Sequence, residues 1–325
     1  MKPIWRSMSL VALLLSSGGG HASERPTPPA AGGPAAATPK TLALAEALVA
    51  AGDELQHEQQ ALEPLETMIS TMVSTQLATA DPAAAATVKA VVSQALAPAP
   101  SKAIEAMTGL YAANFSEREL REILTFVNGP AGQAEKINLP LLKGELRAAL
   151  SATATGAGGA DDIDRALAKA SPAKRQLILR ILKAQDLEAR TRKGYQALLG
   201  AMDGAAPTAA GPSSRPPTAA AQAVDDYVRQ TMAVTARFYG LRFSEAQLAA
   251  SADYLESEAG RAVLERMPII QRAAGGVLRD QLVIALASLD AKVCAAVACS
   301  QDQRAAVAAF ARGMAAQLSS AKRRD

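Results

Sequence analysis

Few residues of this chain have the types and spacing that catalysis or metal binding requires. His57 and Glu58 begin a His-Glu-x-x-His zinc motif, but Ala61 stands where the second histidine must be. A Gly-x-Ser-x-Gly sequence, which would mark a nucleophilic serine, does not occur. We therefore predict no catalytic residue, no metal site and no cofactor. We expect His57 to be a solvated residue in a polar run between two helices.

Two other groups resemble metal ligands, and each has a simpler structural explanation. Asp161, Asp162 and Asp164 lack the central glycine and terminal glutamate of an EF-hand loop. Acidic residues are favoured at the start of a helix, so we predict a cap and a first helical turn there. Met68 and Met72 are one helical turn apart and have the chemistry to bind copper(I), but their apolar surroundings predict core packing instead.

The N-terminus has the three parts of a secretory signal. Lys2 and Arg6 precede an apolar run at residues 10–15, and small residues follow up to Ala22. The apolar run is far shorter than the ~20 residues that span a bilayer. We therefore predict a signal peptide at residues 1–22, cleavage near Ala22, and a periplasmic or secreted protein without a transmembrane span.

Composition favours an all-α protein that does not bind nucleic acid. Cleavage of the signal would reduce the 34 Lys and Arg residues to 32, against 31 Asp and Glu. A nearly neutral chain has no electrostatic attraction for a phosphate backbone. Aromatic residues make up only 3% of the chain, and alanine and leucine dominate its apolar residues. Helices are favoured because strands prefer β-branched and aromatic side chains.

Export permits a disulfide, and the chain offers one pair of cysteines for it. Cys294 and Cys299 are too few for a structural zinc site, which takes four cysteine or histidine ligands. We predict a disulfide that closes a short turn between two helices. Ser300 and Gln303 form a capping signal, which predicts a helix from about residue 301 and places Cys294 at the end of the preceding helix.

One sequence pattern occurs twice at a fixed offset. Residues 110–142 align without a gap with residues 238–270, at an offset of 128, and nine of the 33 positions are identical. The identical positions include tyrosine, phenylalanine, glycine and proline, which unrelated alanine-rich helices would not match in register. A weaker match at an offset of 133 relates residues 48–53 to residues 181–186. Together they predict an internal duplication.

The duplication predicts a helical bundle built from two tandem copies of one helical unit. Residues 23–40 are rich in Pro, Ala and Gly and are predicted to be a disordered tether. The first copy is predicted at residues 41–150 and the second at 162–325, with a linker at 151–161. Because each copy is short of aromatic side chains, we expect the two copies to pack on each other as an intrachain pseudo-dimer. The alternative is two independent units joined by the linker.

The repeated residues have predicted structural roles. Ser116 and Glu119 form a capping box, while Phe115 and Leu120 occupy the two positions of a hydrophobic staple. Glycine allows two helices to approach closely, and a later proline is expected to kink or restart its helix. The signature positions are Tyr111, Phe115, Ser116, Leu120, Gly132 and Pro140 in the first copy, and Tyr239, Phe243, Ser244, Leu248, Gly260 and Pro268 in the second.

The order of these residues resembles the bacterial domain-of-unknown-function family numbered 2059. The resemblance rests on Tyr-x3-Phe-Ser-x2-Glu/Gln-Leu, then an aromatic residue, Ala-Gly and a later Pro, at residues 111–140 and 239–268. The first copy departs from the family pattern at Val127 and Gly129, and the second keeps Tyr254 but lacks the proline that follows it in the family. The resemblance implies an exported helical protein. It implies no activity, because the family has no assigned mechanism.

Three function classes are compatible with this sequence. We expect a non-catalytic interaction or accessory module of the cell envelope that has a protein partner there. The alternative is a binder of a small apolar or lipid ligand between helices. A third class is an enzyme whose site has no recognisable motif. Co-purified proteins, extractable lipid and a cleft with converging carboxylates would favour the three classes respectively.

Overall fold

The computed structural model describes residues 37–77, 81–154, 162–205 and 217–322. Every regular element in these ranges is a helix, so the protein is all-α as composition predicts. The predicted signal peptide and most of the predicted tether lie outside the described residues. None of the helices in the described ranges is long and apolar enough to cross a membrane.

Fourteen helices are found in the described ranges. In chain order they are α1 (Pro39–Ala51), α2 (Glu54–Gln76), α3 (Pro82–Leu96), α4 (Pro98–Asn114), α5 (Glu117–Asn128), α6 (Pro130–Ala154), α7 (Ile163–Ala166), α8 (Pro172–Ala184), α9 (Leu187–Ala205), α10 (Pro217–Arg242), α11 (Glu245–Glu256), α12 (Glu258–Ala287), α13 (Leu289–Val297) and α14 (Gln301–Lys322).

The helices form two compact units. The central unit comprises residues 115–268, and the terminal unit comprises residues 34–114 together with 269–325. These units cut across the two predicted copies. The central unit takes α5 and α6 from the first copy, and α7 to α11 with the first part of α12 from the second.

The terminal unit is held together by an aliphatic core. In it α2 and α13 pack on α3, and α14 packs on α2 and α13. Ser300 caps α14 by accepting a hydrogen bond from the Gln303 amide at 3.2 Å, which confirms the predicted helix start. Gln303 Nε2 also donates to the Leu77 carbonyl oxygen at 2.7 Å and so ties α14 to the end of α2.

The cysteine pair closes the turn between α13 and α14. The sulfur atoms of Cys294 and Cys299 lie 2.12 Å apart, as predicted for a disulfide. The prediction that Cys294 ends its helix is wrong, because α13 continues to Val297. The chain leaves the helix only at Ala298, whose φ of 51° lies in the left-handed region. Three helical residues therefore lie inside the closed loop.

The first described residues are more helical than predicted. Thr38 caps α1 at Pro39, so the last residues of the predicted tether belong to a helix. The next turn comes at Asp53, with a left-handed φ of 51°, and α2 begins directly after it. His57 therefore lies within α2 and not in a polar run between helices, because the chain turns before reaching it.

The predicted linker and the two late prolines also belong to helices. α6 continues to Ala154, so the first residues of the predicted linker are helical and the rest lie outside the described residues. Pro140 lies inside α6 and Pro268 inside α12, and neither restarts its helix. Leu139 and Leu142 are buried beside Pro140, and packing of this kind supplies most of the stability of a helix in a protein.

Several helix bounds are related by the same two offsets as the sequence. α5 and α11 have equal lengths and start 128 residues apart, and α6 and α12 start at the same offset. α1 and α8 have equal lengths and start 133 residues apart. Asp53 and Asp186, which follow α1 and α8, both have a positive φ, at 51° and 47°.

Candidate functional site

Both predicted capping boxes are formed. Ser116 Oγ accepts a hydrogen bond from the Glu119 amide at 3.2 Å, and Glu119 Oε2 accepts one from the Ser116 amide at 2.7 Å. Ser244 Oγ accepts one from the Gln247 amide at 3.2 Å, and Gln247 Oε1 accepts one from the Ser244 amide at 2.9 Å. These reciprocal bonds confirm where α5 and α11 begin.

The apolar signature residues are all buried. They are Tyr111, Phe115, Leu120, Tyr239, Phe243 and Leu248. The guanidinium carbon of Arg266 lies 5.4 Å from the centroid of the Phe115 ring, and Gln185 Nε2 donates to the Tyr239 hydroxyl at 3.4 Å. These residues therefore have structural contacts in the interior of the protein.

Gly132 and Gly260 lie where one helix ends against the start of the next. A Cβ atom on Gly132 would lie 2.2 Å from the Phe126 carbonyl oxygen, and one on Gly260 would lie 2.0 Å from the Tyr254 carbonyl oxygen. These distances leave room only for glycine, so the predicted close approach of helices is present at both positions. Ser257 caps α12 by accepting a hydrogen bond from the Gly260 amide at 3.1 Å.

A buried carboxyl group is the candidate for chemistry among the described residues, and no sequence motif marks it. Glu135 on α6 is only 4% exposed, and its Oε1 accepts a hydrogen bond from Ser251 Oγ on α11 at 2.7 Å. Burial raises the pKa of Glu135 to about 7, and the hydrogen bond from Ser251 offsets part of that rise. A carboxyl group in this position can hold or release a proton near neutral pH.

Two tyrosines share this environment. Burial raises the pKa of Tyr239 on α10 and of Tyr254 on α11, and the nearby Glu135 carboxylate raises both further. Glu122 on α5 adds to the effect on Tyr254. Burial and the charge of Glu135 therefore both keep these two tyrosines neutral.

Other polar atoms are buried in the central unit without a hydrogen-bond partner among the described residues. They are Gln185 Oε1, Thr191 Oγ1, Thr231 Oγ1, Thr235 Oγ1 and Tyr254 OH. On α10, Thr231, Thr235 and Tyr239 follow one another at four-residue spacing, so they share one helix face. A fully apolar interior would be easier to stabilise than this polar face, since an unpaired buried polar atom is costly.

The helices α5 and α6 meet α11 and α12 through specific side chains. The rings of Phe126 and Tyr254 stack with centroids 3.9 Å apart and an angle of 5° between their planes. Arg266 on α12 forms an ion pair with Glu119 on α5 at 3.2 Å. Burial acts to raise the pKa of Glu119, but the hydrogen bonds from Ser116 and the charge of Arg266 outweigh it and hold the pKa below its usual range.

The groups that resemble metal ligands do not converge. Asp162 caps α7 by accepting a hydrogen bond from the Asp164 amide at 3.2 Å, as predicted, while Asp161 lies outside the described residues. The prediction that Met68 and Met72 pack in the core is wrong, because they are 45% and 44% exposed while another face of α2 is buried. Within the described ranges, no group of three or more His, Cys, Asp or Glu residues is placed to hold a metal ion.

Comparisons of the chain with protein-family models, with curated proteins and with solved structures find no match. The resemblance to the family numbered 2059 therefore stays a prediction.

Proposed function

We propose that the chain is a non-catalytic interaction or accessory module of the cell envelope. In this proposal it is exported, cut near Ala22, and binds a protein partner through an exposed apolar surface. Two tandem copies of one helical unit, packed on each other, provide the scaffold for that surface.

The recurrence of helix bounds supports the duplication. A shift of 128 residues carries both bounds of α5 onto those of α11, and a shift of 133 carries both bounds of α1 onto those of α8. Capping boxes, sterically closed glycines and left-handed aspartates recur at the same offsets. Independent helical segments would have no reason to share so many local features in register.

The stacked rings of Phe126 and Tyr254 support the packing of one copy on the other. The two residues are 128 positions apart, so each occupies the same place in its copy, and their rings are in contact. Contact between equivalent residues is what a two-fold relation between two copies produces.

A double-mutant cycle in the full chain tests this contact. Phe126→Leu and Tyr254→Leu should each lower stability, and their combined effect should fall short of the sum by ~0.5–1.5 kcal/mol. Tyr195 stacks with Tyr227 in another part of the unit, so Phe126→Leu combined with Tyr195→Leu should be additive. Additivity in both cycles would contradict the packing of the copies.

An apolar stripe on α6 is the observation that carries the functional proposal. Ile137 is 70% exposed and Leu141 is 47% exposed, although both are large aliphatic residues. Gly144 and Ala148 continue the same helix face and are also exposed. A run of exposed apolar side chains on one helix face is typical of a surface that another protein covers.

Site-specific crosslinking in the native compartment tests the proposal. A photoreactive residue at position 137 should capture a partner protein, whereas one at the exposed Arg147, on the same helix but about a quarter-turn away, should not. Leu141→Ser should weaken capture from position 137 without changing the helical content. Equal capture from both positions, or none from either, would contradict the assignment of this surface.

A further inference from the structure

We propose that the protonation of Glu135 controls how tightly α6 packs against α11. The contact is tight while the carboxyl group is neutral, and it loosens when the group loses its proton. The contact lies in the interior of the central unit and does not involve the proposed partner.

The geometry around Glu135 compensates a negative charge with one neutral hydrogen-bond donor and, among the described residues, with no cation. The hydrogen bond at 2.7 Å comes from the neutral Ser251 hydroxyl, and the carboxyl group lies in no ion pair within the described part of the chain. The titratable groups that act here are Tyr239 on α10, Tyr254 on α11 and, through Tyr254, Glu122 on α5. None of them is a cation, so none forms an ion pair with the Glu135 carboxylate.

Two ion pairs connect the helices around this contact. Arg242 of α10 reaches α6 at Glu145, with the charged atoms 3.6 Å apart. The ion pair of Glu119 with Arg266 joins α5 to α12. Both cations are held by carboxylates other than Glu135. When Glu135 ionises, the carboxylate must therefore gain water, and water reaches a group that is 4% exposed only if α6 and α11 separate.

The sequence repeat has aliphatic residues at the positions equivalent to Glu135 and Ser251. The offset of 128 relates Glu135 to Val263 and Ser251 to Ile123, and these two aliphatic residues are buried. These equivalent positions are therefore buried without a carboxyl–hydroxyl pair. Replacing buried polar pairs with apolar residues is often neutral or stabilising, so the pair at Glu135 and Ser251 provides sensitivity to pH at a cost in stability.

The direction of the pH effect follows from the raised pKa. Burial raises the pKa of Glu135 from 4.5 to about 7 in the folded protein. The folded state therefore binds the proton more tightly than the unfolded chain. The resulting stabilisation is complete below pH 4.5 and is lost as the pH rises through about 7. Between pH 5.5 and 8.5 the unfolding equilibrium constant should increase ~30-fold from this group alone.

The test compares Glu135→Gln with the unchanged chain. Glutamine keeps the shape and accepts the same hydrogen bond, but it cannot ionise. Urea unfolding is followed by circular dichroism at pH 5.5 and 8.5. The ratio of the unfolding constants at the two pH values should be ~30-fold smaller in Glu135→Gln than in the unchanged chain. Glu145→Gln, which removes a less buried carboxylate from the same helix, should retain the full dependence. Equal pH dependence in the unchanged chain and in Glu135→Gln would overturn the proposal.

Two further measurements do not depend on whether Glu135→Gln folds. A carboxyl-carbon NMR titration of the unchanged chain should show one glutamate with a midpoint near 7, and Ser251→Ala should move that midpoint higher because it removes the donor that lowers the pKa. Hydrogen exchange, corrected for its intrinsic pH dependence, should accelerate at pH 8.5 in α6 and α11. Midpoints below ~5 for every glutamate, or exchange in these helices unchanged with pH, would refute the proposal.

Discussion

Gly132→Ala should destabilise the central unit although alanine is the better helix former. The added Cβ would lie 2.2 Å from the Phe126 carbonyl oxygen and 2.7 Å from Val127 Cα, whereas ordinary contact begins at 3.4 Å. Both obstacles are backbone atoms, so no side chain can rotate away. The start of α6 would have to move about 1 Å from the end of α5.

The expected size of the effect is the difference of two opposing contributions. Alanine inside a helix is worth ~1 kcal/mol relative to glycine. Overpacking costs ~1–3 kcal/mol, and this case belongs at or above the top of that range because backbone must shift. The net loss is therefore ~2 kcal/mol or more.

Gly144→Ala provides the matched control on the same helix. Nothing lies within 4 Å of the Cβ position at Gly144, so alanine there should stabilise the protein by ~0.5–1 kcal/mol. The assay is urea unfolding followed by helical circular dichroism, with both variants measured at one pH. If Gly132→Ala proved as stable as Gly144→Ala, the steric argument for the α5–α6 junction would be wrong.

Three further outcomes are expected. Phe115→Ala should lower the free energy of unfolding by ~3–5 kcal/mol and Ser116→Ala by ~1 kcal/mol, and equally mild effects in urea melts would contradict the anchor role of the ring. Reduction of the Cys294–Cys299 disulfide should cost less than the ~3 kcal/mol of a 15-residue loop, because the closed loop is shorter, and a larger shift on adding reductant would refute this. The intact mass of the envelope-purified protein should match a chain that begins after Ala22, and a mass that includes the first 22 residues would exclude cleavage there.

Local signals in the sequence predicted local structure well. The capping boxes at Ser116 and Ser244 follow from residues within one turn of each other, and the structure forms them as expected. Gly129 followed by proline ends α5 where the sequence indicates. Such features depend on the backbone of a few neighbouring residues, so distant packing does not change them.

Features set by tertiary packing were harder to predict. Glu135 belongs to the face that continues through Leu139, Leu142 and Leu146, so its periodicity marks it as buried. A glutamate in a helix is nevertheless usually solvated, and only the position of Ser251 on a helix 116 residues away shows what it contacts. The sequence alone does not show that Glu135 and Ser251 are in contact.

The terminal unit is assembled from two ends of the chain. The hydrogen bond between Gln303 and Leu77 joins residues 226 positions apart, and the central unit, residues 115–268, intervenes in sequence. During synthesis the central unit is complete before α13 and α14 have been made, whereas α3 must wait for α13 and α2 must wait for α14. Contacts of such long sequence separation form late. Until then the apolar faces of α3 and α2 that α13 and α14 cover are exposed to chaperones and proteases, so truncation of α14 should weaken the packing of α2 as well as that of the C-terminal helices.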